Sequence, residues 1–355
     1  MESTIFIDPK ELEVFITKMF RSYNLKEADA LISAKILVEA NLWGTDSHGS
    51  SLLSTYLTRI KDGGINITPS IQTLWEKGGQ ILIDADGCIG PSVAYNATTK
   101  AITLAKEYGV SWVMVRNSNH IGMLGYYTRL ITEAGLLGIV LTNSGPNVAA
   151  WGGVEAVLGN NAFSVGVPGS EFPPFLLDIA TGEVACGRVR QHAERGEKIP
   201  EGWILNSNGE STTNPNDLID GGVVLPFGKH KGFGIGMMVD LLTGVLSGGL
   251  FAANVNRQRE DSSIVAGSSH TFIAFDFSQY ISQDEWEIRI NQWISMIKNS
   301  KKCDGVNEIL IPGEKEKNTL QTRRKQGIPL SMKQIKQFIS LAEEVNIEHP
   351  FKLAN

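Results

Sequence analysis

Apolar residues recur at three- and four-residue spacing over 9–22 (PKELEVFITKMFRS) and 27–43 (EADALISAKILVEANLW), which predicts two amphipathic helices. The first opens with Asp8 as cap and Pro9 in its first turn. If a further helix starts at Ser50, then Leu52, Tyr56 and Arg59 share one face, and that face projects back toward His48. Beyond 80–85, which alternates like a strand, 93–107 reads as a helix leading through Gly109 into a buried strand at 110–115. A helix at 125–134 is followed by a short buried strand at 138–142 and by glycine-punctuated strands at 162–167 and 175–179. Residues 191–218, rich in Asn, Gly, Glu and Pro, predict a long surface loop, after which 233–246 is an apolar helix ending at Gly248-Gly249. A strand at 270–276, a helix at 283–298 and an amphipathic helix at 331–345, capped by Ser331, complete the pattern. The expected class is a mixed α/β fold.

Length and composition narrow this little but exclude much. At about 150 residues per domain, 355 residues imply about two domains. With 42% apolar and 20% charged residues the chain is globular, and a net charge of −6 without a long basic run leaves no electrostatic footprint for nucleic acid. No run of about 18 apolar residues predicts a membrane span, and MESTIFIDPKELEVF lacks the layout of an export signal. Cys88, Cys186 and Cys303 are odd in number and form no CxxC pair, so a reducing cytoplasm is expected.

Three polar clusters stand out: Asp46-Ser47-His48-Gly49, Asn117 to Gly122, and Lys229-His230-Lys231-Gly232. In the first, Asp46 or Ser47 caps a helix and His48 is a satisfied histidine, or the cluster is chemical; spacing alone allows both. His120 follows a buried strand and precedes a helix, the position in α/β proteins where ligands gather. Gly232-Phe233-Gly234-Ile235-Gly236 lacks the third glycine of a dinucleotide fingerprint and a clear preceding strand. Those glycines serve either close helix packing or an anion approached by backbone N–H groups beside Lys229 and Lys231. Asp178 ends an apolar strand, where it orients a histidine or caps the next turn. A metal-dependent hydrolase using Asp46, His48 and His120 is a competing reading, although no HxxxH-type ligand spacing occurs.

In order along the chain, DSHG (46–49), NSNHIGMLGYY (117–127), TNSGPNVAAWGG (142–153), LGNNAFSVGVP (158–168), DIATGEVACGR (178–188), KHKGFG (229–234) and PGE (312–314) resemble the malate/L-lactate dehydrogenase superfamily, unrelated to the Rossmann lactate dehydrogenases. Its relatives include ureidoglycolate, sulfolactate and diketogulonate enzymes and the reductase of piperideine-2-carboxylate. The resemblance implies a homodimer with a helical region and a non-Rossmann cofactor domain built on a mostly antiparallel sheet. On that reading 1–75, joined by 320–355, is the helical region, and 76–319 is a mixed α/β region for substrate and cofactor. It further implies that a hydride passes between NAD or NADP, with a lean to NAD, and a small 2-hydroxy acid/2-oxo acid pair or a cyclic imino acid. The family's paired histidines fall on His48 and His120, one of which carries the proton, with Ser47 and Asp178 to orient it. His120, Ile121, Gly122, Asp178, His230, Lys231 and Gly313 would hold the cofactor, and Tyr56 falls among the substrate-binding positions. One departure matters: the family pattern has arginine, the expected grip on a substrate carboxylate, where this chain has Leu52. Arg59, Arg188 and Arg190 are the candidates to replace it. A substrate altered at its carboxylate end, or a catalytically silent relative that still binds the cofactor, follows from that exchange.

Overall fold

A computed structural model describes residues 4–258 and 260–351. The chain opens as the pattern predicts. Helix Pro9–Ser22 begins where the Asp8 carboxylate accepts the N–H groups of Lys10 and Glu11, and it buries Leu12, Phe15, Ile16, Met19 and Phe20. Helix Glu27–Leu42 is buried on more than one side, because it is sandwiched between two cores. One core joins the first helices to Ile328, Leu330, Ile335 and Phe338 from the far end of the chain. The other lies under helix Gly90–Tyr108, where Ala94, Ala97, Ala101 and Ala105 let the helix sit closely on the sheet beside Val113, Val115, Phe272 and Ala274.

That sheet runs, edge to edge, through Gln72–Lys77, Gln80–Asp84, Val110–Ser118, Ser268–Phe275, Leu137–Thr142, Ala162–Val167 and Phe175–Ala180. Among the described residues its only parallel pair is Gln80–Asp84 with Val110–Ser118, and helix Gly90–Tyr108 is the crossover such a pair requires. Every other pairing in it is antiparallel, so the expected mixed, mostly antiparallel architecture is what forms. A second, five-stranded sheet contains Pro146–Ala149 and Ala156–Gly159, and a two-stranded ribbon pairs Thr4–Ile7 with Ile328–Ser331.

Three local expectations change. The predicted loop at 191–218 starts inside helix Cys186–Arg195 and carries the short strands Ile204–Leu205 and Ser211–Thr212, whose few apolar residues give no periodic signal. The apolar helix starts earlier than 233, at His230, and after Asp240 widens into a π turn at Leu241–Val245. Helix Glu314–Gln326 was not expected at all, since among its residues only Glu314 is buried and no apolar stripe marks it.

Candidate active site

The DSHG segment folds as two short 3-10 turns, Asp46–His48 and Ser50–Leu52, that run into helix Leu53–Asp62. Gly49 is required there, because a Cβ would fall 2.5 Å from the Asn41 amide. His48 is half-buried, with Nδ1 at 3.0 Å from Ser47 Oγ. The second histidine arrives from the end of strand Val110–Ser118, and the two rings stack with centroids 5.4 Å apart and planes 29° from parallel. Residues 72 positions apart thus form one wall, as the paired motifs imply.

His120 is held from behind. Tyr56 Oη lies 2.8 Å from its Nδ1, and the backbone N–H of Gly122 donates to the same nitrogen at 3.2 Å. An amide N–H can only donate, so Nδ1 accepts and the ring proton resides on Nε2. Tyr56 is fully enclosed, and burial pushes its phenol above the usual range, which keeps it a neutral donor. Gly90 fits the turn from below: a Cβ there would sit 2.2 Å from the His120 carbonyl oxygen. Replacing Tyr56 with Phe should lower kcat about 10-fold through a looser His120. It should cost about 1 kcal/mol of stability in a denaturant titration, one buried hydrogen bond's worth.

In front of His48 opens a cavity of about 380 Å³ whose wall includes Trp43, Gly122, Asp178, Gly313 and Glu316. Asp178 Oδ2 accepts the Gly125 N–H at 2.7 Å, so the carboxylate caps helix Leu124–Glu133 while forming part of the wall. Removal from water pushes its pKa up to about 6; the Gly125 bond lowers it and the negative charge of Glu316 adds to the rise. Ile121 is buried and its carbonyl accepts the Tyr127 hydroxyl, which fixes the His120-Ile121-Gly122 turn. Gly313, at φ +97°, packs on Pro174 and Leu176 and starts helix Glu314–Gln326.

Other candidates lie elsewhere. Arg59 is 1% exposed, and its guanidinium donates to Asn119 Oδ1 and to the carbonyls of Gly64, Gln258 and Ile264. The expectation that it grips a substrate carboxylate is therefore corrected: its donors brace the His120 strand end against Gln258 and Ile264. Arg188 is exposed and stacks over Trp203 at 5.1 Å, away from the cavity. His230 and Lys231 are exposed at the start of helix His230–Asp240. That helix lies against the strand end beyond Asp178, with a Gly236 Cβ due 3.1 Å from Thr181 Oγ1. Gly232 abuts Phe227, where a Cβ would fall 2.0 Å from the carbonyl, so close packing accounts for that glycine. The hydrolase reading loses Asp46, whose carboxylate is taken by a bidentate pair with Arg323. Neither Asn41 nor Arg323 was singled out in the sequence. A lone Asn on an apolar helix face was a signal for the first, and nothing in KEKNTLQTRRKQ marks the second.

Solved structures that share this mixed, mostly antiparallel architecture include malate and sulfolactate dehydrogenases, which are oxidoreductases. The chain belongs to the malate/L-lactate dehydrogenase family, whose sequence profile matches residues 7–338. It is 38% identical over 354 residues to the malate dehydrogenase of Pyrococcus abyssi, covering 98% of this chain and 97% of that one. It is 34% identical to the malate/(S)-sulfolactate dehydrogenase of Methanothermus fervidus, over 97% of this chain and 99% of that one. The sulfolactate dehydrogenase structure from Methanocaldococcus jannaschii superposes with a TM-score of 0.90 at 31% identity, covering 97% of this chain and 98% of that one. The chain is thus an oxidoreductase, and no helix among the described residues is long and apolar enough to cross a membrane.

Proposed function

We propose that the protein reduces a small 2-oxo acid or cyclic imino acid, and oxidises the corresponding 2-hydroxy or amino acid, with a nicotinamide dinucleotide. The observation that carries this reading is the stacked histidine pair at the cavity, one ring with its tautomer set by the Gly122 amide and the other beside the Ser47 hydroxyl. The cavity suits the nicotinamide half: Trp43, Leu124, Ala162 and Leu176 give apolar surface for a flat ring, and backbone groups near Asp178 and Gly313 give polar partners for its amide. When bound, the cofactor supplies or accepts the hydride.

The two histidines then have different tasks. His120 donates from Nε2 to the substrate oxygen or nitrogen and polarises it; a second proton on this ring would set an Nδ1–H against the Gly122 amide. At His48 Nδ1 the neighbour is instead the Ser47 hydroxyl, which both donates and accepts. Ser47 thus orients His48 in either protonation state, and His48 gives the proton that balances the hydride in reduction and takes it back in oxidation. Asp178 and Gly313 hold the wall at the nicotinamide side, and His230 and Lys231 serve the rest of the dinucleotide.

A homodimer is part of this proposal. Met237, Met238, Leu241, Val245, Leu246 and Phe251 form an exposed apolar surface along the π-turned helix, the kind a second subunit covers. An odd number of cysteines with no CxxC pair supports a reducing, cytoplasmic setting. The test is thermal unfolding with NADH and with NADPH. A working site at about 100 times its dissociation constant gains roughly 2.7 kcal/mol, a shift of a few degrees. A shift is expected with one of the two, and the larger shift identifies the cofactor that the protein prefers. No shift with either would overturn the proposal in favour of a relative that has lost its cofactor.

A further inference from the structure

The turn that carries His48 has little apolar anchorage of its own. Ser47 is exposed, and Asp46 and His48 are half-buried. Polar ties hold it instead, and they converge on one carboxylate. Asp46 receives Arg323 Nη1 at 2.6 Å, Arg323 Nη2 at 2.9 Å and Asn41 Nδ2 at 2.6 Å. Arg323 also donates to the Asn41 carbonyl, and Asn41 Oδ1 takes the Ser50 N–H at 2.7 Å, on the far side of His48. The guanidinium is 16% exposed, against 48% for Asp46, so the contact is partly shielded from water and from salt. Thr319, one turn earlier on the Arg323 helix, packs under Gly44 at the entry to the same turn.

The helix that brings Arg323 also contributes to the cavity. Gly313 and Glu316, at its beginning, lie in the wall, while Arg323 grips the His48 turn from its last third. One helix of 13 residues therefore contributes to the cavity wall and ties down the turn that carries His48.

We propose that Arg323 is a positioning residue: through its bidentate contact with Asp46 it sets where the His48 imidazole stands relative to the cavity. The inference rests on the reading of His48 as proton carrier. A forked, planar guanidinium fixes both the position and the rotation of the carboxylate, and a lysine ammonium fixes neither. Arg324, the next residue, supplies the control. It is 58% exposed and reaches only Glu39, at 4.0 Å.

The experiment compares Arg323→Gln, Arg323→Lys and Arg324→Gln as full-length proteins. In Arg323→Gln and Arg323→Lys, kcat should fall about 10- to 100-fold, the scale of a misplacement near 1 Å, while the KM for reduced cofactor changes less than about threefold. Arg324→Gln should match the unsubstituted protein. Adding Asp46→Asn to Arg323→Gln should bring little further loss, because both act through one contact. A second readout needs no turnover: the imidazole NMR resonances of His48, identified by their absence in His48→Gln, should move in the Arg323 variants and stay in place in Arg324→Gln. Failure of the unsubstituted protein to turn over any oxo acid or imine would sink the functional reading and leave the resonance test of positioning standing. The positioning role is overturned if kcat in Arg323→Gln stays within about twofold, if Arg324→Gln loses as much, or if the His48 resonances do not move.

Discussion

Replacing His48 with Gln should lower kcat for reduction at least about 10²-fold, the usual size of a lost acid–base group, and leave binding of reduced cofactor within a few-fold. Glutamine keeps a polar side chain of similar reach, so the Ser47 contact and the cavity wall survive in outline. What it removes is the imidazole to which the proposed mechanism assigns the proton. The parallel substitution His120→Gln should also slow turnover, but by removing a hydrogen-bond donor, and it should leave in place the limb of the pH–rate profile that reports the proton carrier. The check is single-turnover oxidation of NADH followed across pH for both variants, with cofactor binding read separately from nicotinamide fluorescence. Loss of that limb in His120→Gln and its persistence in His48→Gln would exchange the two roles.

The second large effect concerns Leu52. Family resemblance puts an arginine at this position, and two of the three candidates to replace it are committed elsewhere, Arg59 to Asn119 and three carbonyls, Arg188 to Trp203. Neither of those guanidinium groups is placed to meet the carboxylate of a simple 2-oxo acid. Leu52→Arg should raise kcat/KM for such acids about 10- to 100-fold, the worth of one charge-assisted, bidentate contact. The gain has a structural cost. Leu52 is 8% exposed in the helical core beside Leu53 and Leu57, so the charged head must extend past that core on its aliphatic stem. A stability loss of about 1–3 kcal/mol is expected. Initial rates over a panel of 2-oxo acids, each variant first shown folded by its thermal transition, decide the matter. A folded variant with no gain on any of them means that position 52 does not face the substrate.

Much of the architecture was legible because its signals are local. Pro9–Ser22 carries its own cap and its own apolar stripe, and the final helix is capped by Ser331 as its sequence indicates, the hydroxyl accepting the Gln334 N–H. The sheet strands that are buried on both sides announce themselves as β-branched, apolar runs. The histidine motifs were equally visible, since a short polar cluster between apolar elements is conspicuous wherever it falls. Thr4–Ile7 and Ile328–Ser331 were not, because each is four residues long and acquires a partner only when the two ends of the chain meet.

By itself, the sequence determined the helices and strands with their own period, the mixed class, and the residue types available for proton and hydride chemistry. Only the tertiary structure decided which of those residues share a site. It stacked His48 on His120, set Tyr56 behind the pair, turned Arg59 into a brace, and brought Arg323 from a charged, unmarked helix onto Asp46. The physical reason is range. Periodicity and capping are written within one or two turns of chain, whereas a hydrogen bond between positions 277 residues apart depends on every element that folds between them.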